Sequence, residues 1–351
     1  PQAGGVKLHA RLRRALLAAA ALPACAAAPA LSSPAAPVEA FAVSSEAIGQ
    51  FGIGRADETF GPLEFVGGLE MTSAGRNFGG LSAFRFLTPG ADFVGVADTG
   101  FWVFGRIAHD AAGRPSGVEA FRMQKMVDAA GRPFDAKRQA DAEGLAVRDG
   151  IVTVGFERRH RVSQFRLDPA DMKGPFRDLD FLVPARELRQ NRGFETIVHA
   201  PRDGALQGAL VAVSERSLDA AGNVYAAVLD GPRKGVFTVK REGDFDITDG
   251  AFLPDGDLLI LERSFSFLAG VGMRLRRLSG DSVGTGRLAD GPVLMQADMS
   301  HRIDNMEGLD VWRRGDGALM VSLISDDNQS FLQRTLYLEF ILHEDGRQAA
   351  Q

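Results

Sequence analysis

The sequence predicts an all-β fold: a β-propeller of about six blades, forming one domain behind a signal peptide. Three observations lead there. A short unit recurs, consisting of an acid, a glycine, an apolar strand, an Asp-Gly turn, a second apolar strand and a closing acid. It is clearest from Asn305-Met306-Glu307-Gly308-Leu309 through Asp316-Gly317 to Ser325-Asp326. Copies run from Glu143-Gly144 through Asp149-Gly150 to Glu157-Arg158, from Phe194-Glu195 to Glu215-Arg216, and from Asp249-Gly250 through Asp255-Gly256 to Glu262-Arg263. A diverged copy leads from Gly80-Leu81-Ser82 to Asp98. The second observation is spacing: the leading acids Glu143, Glu195, Asp249 and Glu307 follow one another at 52, 54 and 58 residues, close to the roughly 40 to 50 residues of a propeller blade. The third is the scarcity of long segments with a helical apolar period, which an α/β fold needs between its strands.

The chain opens on a segment that reads as an address. Lys7, Arg11, Arg13 and Arg14 precede an Ala/Leu run from Ala15 to Leu22 that is too short to span a bilayer. Residues 1–25 are therefore expected to be a bacterial-type signal peptide. The protein is then exported, to the periplasm or the cell envelope. Arg13-Arg14 lacks the usual flanks of a twin-arginine signal. Leu22-Pro23-Ala24-Cys25 resembles a lipoprotein signal box with a proline in its middle, so a lipid anchor at Cys25 and ordinary cleavage stand as alternatives. Cys25 is the only cysteine, so no disulfide is expected.

Residues 26–38 form an Ala/Pro/Ser linker, 39–345 the propeller and 346–351 a tail. Removing the four basic residues of the signal takes the formal charge from −5 to −9. An acidic chain without a basic block has no electrostatic footprint for nucleic acid. No transmembrane segment is expected in the mature protein, and its expected state is a monomer. The segments 41–43, 51–53, 64–69 and 335–342 fall outside the repeats, and strands from the two ends are expected to share a blade, which leaves no open edge at the seam. Pro184 to Gln190 could form two helical turns between blades.

In a blade the first strand follows the channel and the second returns antiparallel, so the start of one and the end of the other share a face. This gathers Glu143, Glu195, Asp249 and Glu307 with Asp98, Glu157, Glu215, Glu262 and Asp326, three of the latter followed by Arg158, Arg216 and Arg263. Converging carboxylates repel unless a cation compensates, and hard oxygen ligands favour Ca²⁺. Arginine forks beside a metal suit phosphate oxygens. The alternative is scaffolding, with Glu-Gly fixing turns and Glu-Arg bridging blades. His160 lies near these acids as a candidate proton carrier or an ordinary loop histidine, and Trp102 and Trp312 read as core. No Gly-x-Ser-x-Gly elbow or phosphate loop is present.

Gly80-Leu81-Ser82, Asp98-Thr99-Gly100, Asp141-Ala142-Glu143-Gly144, Asn191-Arg192-Gly193-Phe194-Glu195, Leu261-Glu262-Arg263 and Asn305-Met306-Glu307-Gly308-Leu309 follow one another, closed by Ser325-Asp326-Asp327-Asn328 and Gln333-Arg334-Thr335. This succession resembles the bacterial phytase-like domain family, also described as esterase-like activity of phytase, from about residue 60 onward. The resemblance implies an exported propeller acting on phosphoric or other esters. The Asp-Ala-Asp-Asp-Pro-Ala stretch of alkaline β-propeller phytases and the Arg-His-Gly of histidine acid phosphatases are absent.

The expected reading is metal-assisted hydrolysis of a small phosphate ester by a metal-polarised water. The expected catalytic groups are Glu157, Arg158, Glu215, Arg216, Glu262, Arg263 and Arg334. The expected Ca²⁺ ligands are Glu143, Glu195, Asp249, Glu307, Asp98 and Asp326. A non-catalytic ligand- or partner-binding propeller and a Ca²⁺-dependent lactone or carboxylic-ester hydrolase remain as alternatives.

Overall fold

Apolar runs separated by Asp-Gly and other glycine-bearing turns become short antiparallel strands, and the strands stack into five sheets arranged as a β-propeller. The computed structural model describes residues 37–344 except 135, 190, 191 and 269. The expected signal peptide with Cys25, most of the 26–38 linker and the 346–351 tail lie outside these residues. No helix among the described residues is long and apolar enough to cross a membrane.

The innermost strands of blades 1 to 5 are Leu81–Phe86, Ala142–Arg148, Phe194–His199, Asp246–Phe252 and Asn305–Arg313. Each neighbours the next, and the fifth neighbours the first, so the ring closes. The second strands are Asp92–Ala97, Ile151–Phe156, Leu210–Leu218, Leu258–Ser266 and Leu319–Asp326. Between Arg148 and Ile151, Asp149 (φ 51°) and Gly150 (φ 71°) make the two-residue left-handed turn that suits strand twist.

Blade 5 is built from both ends of the domain. Strand Leu63–Thr72 pairs along Thr335–Leu342, from Thr335 opposite Met71 to Leu342 opposite Leu63. The shared blade is present as the sequence predicts. The blade count is five where the spacing suggested about six, because the unassigned segments extend existing sheets. Val38–Ala40 pairs on the outer edge of blade 1, and Ser44–Ile48 on the outer edge of blade 5.

Neighbouring blades pack face to face. Between blades 4 and 5, for example, Leu259, Leu261, Met273 and Leu275 meet Leu309, Val321, Leu323 and Leu338. Strands covered on both sides read as continuous apolar runs, as in the wholly buried Leu319–Asp326. Trp102 is fully buried, and the half-buried Trp312 donates its Nε1–H to Ser322 Oγ at 2.9 Å.

The helical expectation at Pro184–Gln190 is corrected: the described part is a turn, with Glu187 N–H bonded to Pro184 O at 2.8 Å. Ser217 Oγ accepts the Arg189 N–H at 3.1 Å, a donor that a continuing helix needs for residue 185. The described α-helix is instead Lys137–Ala140, just ahead of the inner strand of blade 2.

Candidate active site

The ladder between first and second strand slips by one residue near the same end of every blade. One inner-strand residue is left bulged each time: Ser82, Glu143, Glu195, Thr248 and Glu307. A bulge re-aims its side chain out of the alternating pattern. Beyond the slip, the chain of each second strand carries a residue at a matching position: Asp98, Glu157, Glu215, Arg263 and Asp326. All of these except Thr248 line one depression of about 200 Å³, joined by Lys137, Asp141, Arg158 and Asn328.

Blade 4 departs from the repeat by one residue, and the departure changes the chemistry. Asp249 pairs with Leu261, the place that Gly144 and Gly308 hold in blades 2 and 5. Its carboxylate is fully buried against Arg85, with Arg85 Nη1 to Oδ2 at 2.7 Å and Nη2 to Oδ1 at 2.8 Å. Asp249 is therefore not placed as a mouth ligand; Thr248 holds the equivalent position and bonds Met306 O at 3.0 Å.

Glu262 is displaced in the same way. It stands opposite Ile247 and bonds Arg274 Nε at 2.6 Å and Arg276 Nη2 at 3.0 Å, inside the blade. A one-residue offset in a strand exchanges the two faces, so Arg263 occupies the position that carboxylates hold in the other four blades.

Arg263 donates from Nη1 to Asn305 Oδ1 at 2.7 Å and lies 3.4 Å from Glu215 Oε1 and 3.2 Å from Glu307 Oε1. Those acids, Glu307 foremost, hold its pKa above the ordinary value. Arg158 bonds Asp141 Oδ2 at 2.5 Å, and Lys137 reaches Asp98 Oδ2 at 2.5 Å.

Two expected arginines turn away from the mouth. Arg216 lies 3.3 Å from Asp246 across the seam of blades 3 and 4. Arg334 bonds Ile303 O at 2.9 Å and pairs with Asp304 at 3.3 Å. In both cases a nearer carboxylate captures the guanidinium. His160 is half-buried in the turn after Glu157, and burial lowers its pKa.

Eight carboxyl groups against three cations leave the mouth strongly acidic. Burial, then Glu157 and other acids, pushes the Glu143 carboxyl well above its usual range; burial and Glu143 do the same to Glu195. Burial raises Glu157 and Glu307 to about 7 and, with Glu307 beside it, Asp326 to about 8. Gly193 N–H donates to Glu157 Oε1.

Two overlapping groups, Asp141 with Glu143 and Glu157, and Glu157 with Glu195 and Glu215, each bring one oxygen per residue within 4.8 Å of the others. Oxygens sharing one Ca²⁺ at about 2.3–2.6 Å are separated by no more than about 5 Å, so a hard divalent cation fits this donor set. Asp141, Lys137, Ser82 and Asn328 were missed as site residues. Asp141 was visible two residues before Glu143, in a motif of which only the Glu-Gly pair was read as chemistry.

The chain matches the family Phytase-like, esterase-like activity of phytase, over residues 76–329. It belongs to this family. The matched Phytase-like segment contains every residue that lines the mouth, from Ser82 to Asn328. No curated protein matches the chain. Among solved structures, an endo-arabinase from Bacteroides thetaiotaomicron is 14% identical with a TM-score of 0.41, covering 71% of this chain and 89% of its own. The PQQ-bound aldose sugar dehydrogenase from Streptomyces coelicolor is 10% identical with a TM-score of 0.39, covering 79% and 98%. At these scores the two carry no argument about the Phytase-like chain.

Proposed function

We propose that this protein is an exported hydrolase of small phosphate esters, working with Ca²⁺ at the mouth of the ring. The observation behind this reading is the convergence of carboxyl groups with raised pKa values, from three blades, around Arg263 of a fourth. Asp141, Glu143 and Glu157, or Glu157, Glu195 and Glu215, are the groups that would hold the cation. Bound there, it supplies charge that polarises a phosphoryl oxygen and an attacking water.

The chain's own groups do the rest. Glu307, raised to about 7 and outside both cation-holding groups, suits proton transfer from water and to a leaving oxygen. Arg263, fixed by Glu215, Glu307 and Asn305, and Arg158, fixed by Asp141, offer N–H groups to phosphate oxygens.

A chromogenic phosphomonoester should be hydrolysed with Ca²⁺ and spared with chelator. Glu307→Gln is expected to lower kcat/KM by about 100-fold or more, and Arg263→Ala by about 10- to 100-fold. Arg216→Ala, outside the mouth, should leave kcat/KM near wild type and lower the melting temperature slightly. Absence of Ca²⁺-dependent phosphomonoester hydrolysis by the wild type would sink the phosphate reading.

A carboxylic-ester or lactone hydrolase is the second reading. It is favoured by the removal of Arg216 and Arg334 from the mouth, which leaves fewer guanidiniums for a phosphate. A chromogenic carboxylic ester run in parallel separates the two.

Export is part of the same proposal and rests on Lys7 to Leu22. Intact mass of periplasmic material should show the loss of about 25 residues, with an acyl mass on Cys25 if the lipid anchor forms; a retained N-terminus would contradict export.

A further inference from the structure

Blades 2 and 3 approach each other closely at the mouth, and glycines make the approach possible. A Cβ on Gly144 would stand 2.7 Å from Glu195 O, and one on Gly155 2.8 Å from Phe194 O. With no side chain at either place, the inner strand of blade 3 lies against blade 2 where Glu143, Glu157 and Glu195 are carried.

Glu157 stands on this seam. Its N–H bonds Asp141 O at 2.8 Å, just ahead of the inner strand of blade 2, and its Oε1 accepts the Gly193 N–H at the entry of blade 3. It belongs to both donor triads, with Asp141 and Glu143 in one and with Glu195 and Glu215 in the other. The five carboxyls meet the spacing for a cation as two triads and not as a single set. Ca²⁺ takes about six to eight oxygens, so three carboxylates leave positions open on each ion.

Two observations favour filling both triads. Glu195 is 7% exposed and lines the mouth, yet among the described residues it has no ion pair, and its hydrogen-bond contact is with another carboxyl, Glu157. Glu143, in the other triad, has neither an ion pair nor a hydrogen bond among the described residues. Buried carboxylates are ordinarily paired with a cation or a donor. The second observation is charge: eight carboxyls against three cations leave five negative charges, which one divalent ion reduces to three and two reduce to one.

We propose that the mouth holds two Ca²⁺ ions side by side across the seam of blades 2 and 3, with Glu157 as the ligand shared between them. One ion takes Asp141 and Glu143, the other Glu195 and Glu215. Paired metal ions of this kind stand roughly 4 Å apart. The pair extends the single-cation reading above, on which it rests, and is measured by binding without any ester.

Metal-free full-length protein is dialysed against radioactive Ca²⁺ at about pH 8, where the carboxyls are open to metal. Asp141→Asn/Glu195→Gln should bind two ions fewer per chain than wild type, and each single variant one fewer. Glu157→Gln should weaken both ions by about tenfold or more. Wild type loaded with Tb³⁺ and Eu³⁺ in equal amounts should show energy transfer between neighbouring lanthanides, and either single variant should abolish it. The wild-type transfer decides the matter even where a variant fails to fold.

Loss of one ion only from the double variant overturns the pair and leaves the hydrolase reading intact, as does a wild type without energy transfer. Loss of one ion only from Glu157→Gln overturns the shared ligand. Two bound ions without hydrolysis of a phosphomonoester uphold the pair and overturn the phosphate reading, and no bound Ca²⁺ overturns both.

Discussion

Arg85→Met should destabilise the protein by about 3–5 kcal/mol, the effect of leaving a buried charge without its partner. Arg85 projects from the inner strand of blade 1 into the centre of the ring. Its Nη1 donates to Asp249 Oδ2 at 2.7 Å, Phe84 O at 2.7 Å and Leu309 O at 2.8 Å. Its Nη2 donates to Asp249 Oδ1 at 2.8 Å, Gly250 O at 3.2 Å and Ile197 O at 3.3 Å. One guanidinium thus ties together blades 1, 3, 4 and 5.

Burial opposes the Arg85 charge, but Asp249 outweighs it and keeps the pKa raised. With methionine there, the Asp249 carboxylate keeps only N–H donors such as Leu309 N at 2.8 Å. Thermal melting should show the midpoint falling by about 5–8 °C. Arg85→Met/Asp249→Leu should recover part of the loss, since it removes both charges together. Ca²⁺ affinity per folded molecule should be retained, because Asp249 does not line the mouth. Loss of Ca²⁺ binding at unchanged stability would return Asp249 to the metal ligands.

Metal-free protein should lose stability as pH rises from about 5 to 8, and Ca²⁺ should restore more of it at pH 8 than at pH 5. Folding raises Glu157 and Glu307 to about 7 and Asp326 to about 8, burial being the first cause each time. Unfolded carboxyls titrate near 4. Across the window between, the folded state holds more protons, so its stability declines with rising pH. The decline starts above the unfolded value and is complete once pH passes the folded values.

A tenfold difference in proton affinity between the folded and unfolded chain corresponds to about 1.4 kcal/mol. Because neighbouring acids titrate together, a combined loss of about 3–5 kcal/mol, or roughly 5–8 °C, is expected rather than the sum. Ca²⁺ binds the deprotonated forms, so its melting shift must grow with pH. Asp326→Asn should flatten the upper part of the curve. A melting temperature independent of pH from 5 to 8 in chelator would remove the electrostatic basis for the cation.

Much of the site was legible residue by residue. Glu143, Glu195 and Glu307 were readable because each precedes an apolar strand at blade spacing, and a β-bulge lifts each into the mouth. Asp98, Glu157, Glu215 and Asp326 were readable because each follows the apolar run of a second strand. Asp249 and Glu262 were misread for one common reason. The strings Asp-Gly and Glu-Arg in blade 4 imitate the motif, but the bulge falls at Thr248, one residue earlier, and no local signal marks it. Arg216 and Arg334 resembled the arginines that stay at the mouth, and only the positions of Asp246 and Asp304 distinguish them.

The sequence by itself determined the propeller class, the closing blade shared by strands near residues 63 and 342, and the acidity of one face. Repeat spacing and apolar alternation are local properties that survive reading along the chain. Tertiary structure decided the blade count, the register of blade 4 and the partner of every charge. A single-residue slip turns a side chain to the other face of its sheet, and a buried carboxylate takes whichever cation the fold brings within reach. That is how Arg85, 164 residues away in sequence, captured Asp249, and how Arg263 came to stand among the acids of the mouth.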